Sequence, residues 1–355
     1  MKRSFASCLC LLSLLPCMTI AASYRIQPLG MLPGFASSGA YALNGRGQVV
    51  GTLWEPVNFD QGQPFVWDTT SGMRLLSTEA GSYGRASDIN DSGYIAGTSA
   101  NMACRWDSNG NRSNIGVAPG DSSSKSVGIN NLGQVAGRSY PSGAPSQQFL
   151  WTEGVGMTVL PVPGADNAQV YDVDDHGNVV GFVYNSQGVS RTALWNASTD
   201  WNLVGNALPG YEKERPVAMS DNGMYIAGYA SHQFNPGTAF IWDTTSGLRQ
   251  LPTLGGGDSE ASGVNNLGQV VGIANGQACL WKDGVVYDLS ALLPSDSGWT
   301  LNGASDINDS GWIVGVGTYQ GVEQAFVLVP VPEPSSIIAI LSGLGSLLAC
   351  RRRRA

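Results

Sequence analysis

The sequence predicts an all-β fold: a seven-bladed β-propeller-like ring of four-stranded repeats, with an open β-solenoid as the alternative architecture. Three observations lead there. A short hairpin pattern recurs seven times at steps of 40 to 46 residues, a period that belongs to propeller blades and some solenoids. A strand ending in an aromatic or apolar residue follows each copy. The last copy lacks its final strand, and a spare strand stands before the first.

The recurring pattern is an apolar residue, Asn or Asp, two polar residues, Gly, any residue, an apolar residue, a small one and Gly. Its copies read ALNGRGQVVG, DINDSGYIAG, GINNLGQVAG, DVDDHGNVVG, AMSDNGMYIAG, GVNNLGQVVG and DINDSGWIVG. The third residues are Asn44, Asn90, Asn130, Asp174, Ser220, Asn265 and Asn308. An apolar strand end, a polar pair and a glycine able to take positive φ make a hairpin. Gly47, Gly93, Gly133, Gly177, Gly268 and Gly311 are the expected turn glycines. The strand before each hairpin is rich in Ala, Ser and Gly, as in RASDIN and ASGVNN, which suits a crowded axis.

The second strand reads PFVW, ACRW, QFLW, TALW, AFIW, ACLW and, in the seventh copy, AFVL. Trp67, Trp106, Trp151, Trp195, Trp242 and Trp281 have apolar neighbours there, so they are expected to fill the space between adjacent sheets. After four of these strands a turn and an apolar strand come next, as in WDTTSGMRLL, giving about four strands per unit. The seventh copy reaches AFVLVP and stops. The segment YRIQPLG, Tyr24 to Gly30, resembles the missing piece, and its pairing with the 325–329 strand would remove the exposed edges of an open stack.

The chain has 355 residues with 43% hydrophobic content, enough for a large core, and only 13% charged residues against an average of about 25%. With Lys2, Arg3, Glu333 and Arg351 to Arg354 set aside as targeting residues, 13 basic and 26 acidic residues leave the body at a net charge of −13. Such a body repels a phosphate backbone, which excludes nucleic acid as a natural partner. Divalent cations and neutral glycans fit better.

Both ends carry an address. Lys2 and Arg3 precede the apolar FASCLCLLSLLPCMTI and the small residues Ala21, Ala22 and Ser23, the order of a secretory signal peptide over residues 1–22. Residues 331–355 contain a Pro-bracketed glutamate, a 16-residue apolar run from Ser335 to Cys350 and four arginines. This tail, Val331 to Arg354, resembles the PEP-CTERM sorting signal of Gram-negative bacteria that make exopolysaccharide. The resemblance implies that an exosortase-type membrane enzyme recognises Pro332, Glu333 and Pro334 and removes the tail. The apolar run would contact the membrane before processing, and Arg351, Arg352, Arg353 and Arg354 would stay cytoplasmic. A permanent anchor is the other use of such a segment.

Between the ends, residues 23–330 resemble the HAF repeats of extracellular bacterial proteins, in which AF-apolar-W precedes an IN-x-x-G-x-V-x-G hairpin. The match departs at Cys104 and Arg105, which replace an apolar pair, and at Asp174 and Ser220, which replace Asn. The resemblance implies export and a propeller-like body, and it carries no catalytic residues.

Candidate chemistry is sparse. Asp88, Asn90 and Ser92; Asp172, Asp174 and His176; and Asp306, Asn308 and Ser310 spell the opening half of a calcium loop. Ser99, Val183 and Gly317 stand where a bidentate glutamate would be needed, so no metal site is assigned and calcium is the one cation to consider. His176 and His232 lie in no nucleophile motif. Cys104 and Cys279 fall at equivalent positions of the second and sixth repeats, too far apart in a ring for a disulfide. Asp258, Glu260, Glu212 and Glu214 are expected in solvated loops. No cofactor is expected. The resulting function is a non-enzymatic surface or matrix module linked to exopolysaccharide or other surface proteins; the alternative is a propeller glycosidase or polysaccharide lyase.

Overall fold

The computed structural model describes residues 24–56, 58–143, 145–162, 167–232 and 237–331. The signal segment 1–22, Pro332, Glu333, Pro334, the apolar run and the four arginines lie outside the described residues. Apart from one 3-10 turn, Ser290–Leu292, the regular elements among them are β-strands.

The strands assemble into antiparallel sheets in the order in which they occur along the chain. Ser37–Leu43, Val49–Glu55, Asn58–Asp68 and Gly72–Leu75 form one four-stranded sheet, and the units starting at Gly84, Ser123 and Ser259 repeat that order. The units starting at Asn167 and Lys213 share one eight-stranded sheet through a single parallel pair, Ser190 with Lys213. The last unit supplies Trp299–Ile307, Ile313–Tyr319 and Val322–Pro330, and its fourth strand is Tyr24–Pro28 from the front of the chain. That pairing is antiparallel, with Tyr24 opposite Pro330, Ile26 opposite Leu328 and Pro28 opposite Phe326. The Leu29 N–H extends it by donating to the Ala325 carbonyl at 3.0 Å.

Each strand that leads into a hairpin carries a register shift a few residues before the turn: between Ala40 and Ala42, Ala86 and Asp88, Ser126 and Gly128, Val170 and Asp172, Pro216 and Ala218, Ala261 and Gly263, and Ala304 and Asp306. A bulge adds one unpaired residue and re-aims the side chain after it. It also explains the last glycine of the motif. A Cβ at Gly97 would lie 2.1 Å from the Arg85 carbonyl oxygen, and one at Gly51 would lie 2.0 Å from that of Gly39. The bulged strand presses its backbone onto the position where any side chain would begin.

Packing between sheets follows the tryptophans. Trp106 is fully buried with Val50, Val66, Ala86 and Ile95, residues of its own sheet and the preceding one, while Trp281 packs with Ala227, Ile241 and Val264. The indole N–H of Trp106 donates to the Ser77 carbonyl and that of Trp281 to the Pro252 carbonyl, both at 2.7 Å. Burying roughly 200 Å2 of each at about 25 cal/mol per Å2 contributes about 5 kcal/mol before entropy is charged against it. Trp67 and Trp195 are also buried; Trp151 and Trp242 are partly exposed.

Candidate functional site

The hairpins bring the residues picked out by sequence to one end of the body. Gly47, Gly93, Gly133, Gly177, Gly268 and Gly311 have φ between 71° and 82°. In the Asn copies one side-chain oxygen holds the turn: Asn90 Oδ1 accepts the N–H groups of Ser92 at 3.1 Å and Tyr94 at 2.9 Å. The Asn90 amide then reaches the next copy, donating to the Asn130 carbonyl at 2.9 Å. Asn44 donates likewise to the Asn90 carbonyl, Asn130 to that of Asp174, Asn265 to that of Asn308, and Asn308 to that of Asn44, 264 residues away in sequence. These asparagines are therefore joints between copies as well as turn residues.

Asp174 and Ser220 show the distinction. The Asp174 carboxylate still accepts the N–H groups of His176 and Asn178, and Ser220 Oγ accepts that of Tyr225, so both turns survive. A carboxylate has no N–H to donate. Between these copies the link is main-chain, from Asp175 N–H to the Asp221 carbonyl at 2.8 Å. In the fifth copy the link onward runs through Asn222, whose N–H donates to Asn266 Oδ1 at 2.9 Å, as the Asp91 N–H does to Asn131 Oδ1.

A second tier uses the residue after the Asn position. Asp91 Oδ1 accepts the Gly45 N–H, Asp175 Oδ1 that of Asn131, and Asp309 Oδ1 that of Asn266. Further in stand Asp88, Asp172 and Asp306, turned inward by the bulges. Each carboxylate accepts two backbone N–H groups, one from the residue after it and one from a neighbouring copy. Asp88 holds Ile89 and Ile129, Asp172 holds Val173 and Met219, and Asp306 holds Ile307 and Leu43, at 2.7 to 3.0 Å.

All seven copies contribute to a cavity of about 120 Å3 lined by these three aspartates, Asp91, Asp221, Asp309, asparagines such as Asn44, Asn90, Asn265 and Asn308, and apolar strand ends such as Ile89 and Met219. It is small beside the 300 Å3 or more, roughly, of an ordinary ligand pocket. Its electrostatics are set by crowded acids. Burial raises Asp88, against the pull of the Ile129 and Ile89 N–H groups. Burial and then the Asp88 charge raise Asp172 well above the carboxylate range. Asp306 is pushed up to about 7 by burial, its bond from Leu43 opposing and the Asp88 and Asp221 charges adding. Asp221, at the exposed mouth, is also raised, by desolvation and then by Asp175 and Asp88. Among the described residues no cluster of three or more His, Cys, Asp or Glu is placed to hold a metal ion.

Elsewhere two expectations are corrected, since Glu214 and Glu260 lie on strands and not in loops. Glu214 is not a solvated loop residue: it is 1% exposed on the strand Lys213–Met219, and its carboxylate accepts the N–H groups of Thr192 and Leu208, both at 3.1 Å. Glu260 lies on the strand Ser259–Val264 but is exposed, and Glu212 and Asp258 are exposed in loops. His176 is an exposed turn residue and His232 stacks on Tyr211 at 5.0 Å. Cys104 and Cys279 are buried free thiols; burial pushes Cys104 up to about 12 and raises Cys279 as well.

Residues 330–354 match the PEP-CTERM protein-sorting motif. The motif marks an exported chain of a Gram-negative bacterium, with a membrane-anchoring tail that an exosortase recognises and processes. Among the described residues no helix is long and apolar enough to cross a membrane. No curated protein matches the chain in sequence. In fold, the body is similar to a virginiamycin B lyase from Staphylococcus aureus (TM-score 0.55, 11% identity, 87% of this chain and 100% of that one). It is similar also to the β-propeller domain of the Trilobed protease from Pyrococcus furiosus (TM-score 0.56, 12% identity, 84% and 98%). A third likeness is to a puromycin-hydrolyzing peptidase from Mycobacterium tuberculosis (TM-score 0.54, 12% identity, 87% and 54%). At such identities the likeness is one of fold: the body is all-β and propeller-like.

Proposed function

We propose that the sheets are seven blades of a closed propeller, the Tyr24–Pro28 strand completing the last one, and that this body is a non-enzymatic binding or structural module. Bonds from the last copy to the first support closure: Asn308 to the Asn44 carbonyl, and the Leu43 N–H to Asp306. A Cβ at Gly47 would also strike the Trp312 ring at 2.6 Å, so the two copies are in tight contact. The resemblance to HAF repeats is part of this reading and rests on the hairpin and AF-apolar-W residues.

One observation carries the non-enzymatic reading. The three most inward carboxylates each accept two backbone N–H bonds, one of them across copies. A nucleophile or general base needs its lone pairs free for substrate; here they pin neighbouring copies together. The hairpin residues from Asn44 and Gly47 to Asn308 and Gly311 act, in this reading, as joints and turns. The module works at the cell surface or in the matrix, in contact with exopolysaccharide or other surface proteins, after its signal peptide and tail have been removed. No cofactor takes part, and calcium is the cation to titrate first.

The competing reading, a glycosidase or polysaccharide lyase, draws on the crowded, raised carboxylates around one cavity. A screen of the purified body against bacterial polysaccharides separates the two: binding without cleavage is expected. Turnover that disappears on Asp172→Asn, with the fold intact by circular dichroism, would establish the enzyme instead. Processing is tested in cells with and without exosortase, where Glu333→Ala should leave the tail attached by intact-mass measurement.

A further inference from the structure

We propose that, while the tail is held in the membrane, the body rests with its hairpin face against the lipid surface and its opposite loops pointing outward. The inference depends on the tail being membrane-held before processing.

Tyr24 lies opposite Pro330 in the closing strand pair, and Leu328 lies opposite Ile313, the first residue after the last hairpin. A Cβ on Gly311, the turn glycine of that hairpin, would come 3.3 Å from the Pro330 ring. Both the signal and the tail therefore join the body at the hairpin end. The tether is also short. Four residues separate Pro330 from Ser335, where the apolar run begins, and the five steps between them span at most about 17 Å in any conformation. A body of about 300 residues has a radius of gyration of about 19 Å. A tether shorter than that cannot carry the far end to the membrane.

A separate feature points to lipid as the occupant. The hairpin end carries Leu132, 69% exposed, and Leu267, 63% exposed, at the tips of the third and sixth hairpins. Met224 and Val155 in turns, and Val285 at the start of the strand Val285–Asp288, are exposed at the same end, as is Val331 where the tail departs; Leu75 and Leu203 are exposed on strands and Tyr83 and Val322 at the far end. Apolar side chains spaced around one face suit the boundary between headgroups and acyl chains, and shallow insertion of each needs no unpaired backbone. Asp91, Asp221 and Asp309 are exposed on that face as well, so it should favour zwitterionic over anionic lipid.

The test uses the full chain in phosphatidylcholine vesicles with a headgroup-attached quencher and a fluorescent residue at either Leu267 or Tyr83, the latter at the far end beside Ala100. The expected result is quenching at 267, none at 83, and a weaker effect at 267 when phosphatidylglycerol is added. Equal quenching at both sites, or the reverse order, would overturn the orientation. So would quenching at 267 that appears only with an exosortase in the same vesicles, which would make the occupant a protein. A chain that stays out of the vesicles altogether would remove the tail reading beneath the proposal, and the orientation with it.

Discussion

Asn308→Asp isolates the inter-copy joint from the turn it also holds. Asn308 Oδ1 accepts the N–H groups of Ser310 at 3.1 Å and Trp312 at 3.0 Å, and its amide donates to the buried Asn44 carbonyl at 3.0 Å. Aspartate keeps both acceptor bonds, as Asp174 does in the fourth copy. It loses the donor, leaves the Asn44 carbonyl only its bond from the Gly47 N–H, and sets an unpartnered carboxylate oxygen against it. A buried polar group without its partner costs about 1–3 kcal/mol. At pH 8 we expect a loss of about 2–3 kcal/mol, seen as about 5 °C or more in Tm. Near pH 4.5 the new acid, raised by burial, is protonated, and its O–H can donate to the same carbonyl; the loss should shrink to about 1 kcal/mol or less. Thermal unfolding of both proteins across that range gives the difference directly. A variant as stable as the parent at pH 8, or a loss that ignores pH, would refute the joint.

Three other outcomes follow from the same geometry. Because Asp306 titrates near 7 in the fold and near 3.9, approximately, in an unfolded chain, the folded form holds the extra proton between those values. Stability should therefore fall as pH rises from about 4 to 7, by at most about 4 kcal/mol from this group, and Asp306→Asn should flatten the slope in urea titrations; an unchanged slope would count against it. Gly97→Ala forces a Cβ to 2.1 Å from the Arg85 carbonyl and should abolish soluble expression. Gly81→Ala, with φ of 72° but nothing within 4 Å, should cost about 1 kcal/mol, as the Tm of the purified variant will show. Cys104 and Cys279 should stay silent to a thiol reagent in native buffer and react once denaturant is added; fast native labelling would place them nearer the surface than they lie here.

The hairpins, the four-strand units, the inter-sheet tryptophans and the partner of Tyr24–Pro28 could be read in the sequence, because each depends on local pattern or on a missing piece. The joints could not. Asn44 and Asn90 look like turn residues because turn chemistry alone explains Asn there, and the bond to the next copy spans 40 or more residues. The bulges were equally hidden: the extra residues, Tyr41, Ser87 and Val127 among them, share no side-chain type, so nothing marked Asp88, Asp172 and Asp306 as inward-facing. One clue was available. The final glycine of the motif, present in all seven copies where a strand would tolerate Ala, signalled a backbone pressed close by. Glu214 misled because its partners, the Thr192 and Leu208 N–H groups, come from the previous unit and the loop before it.

The pairing of Tyr24 with Pro330 also fixes how the molecule answers to force. The two strands run antiparallel, and both chain ends leave from the same end of the pair. Tension that separates the ends loads the bonds one after another, starting at Tyr24, instead of sharing the load along the strand. The fold is thus stapled where a pull between its ends would peel it most easily, and removing the tail also removes the handle by which it could be peeled.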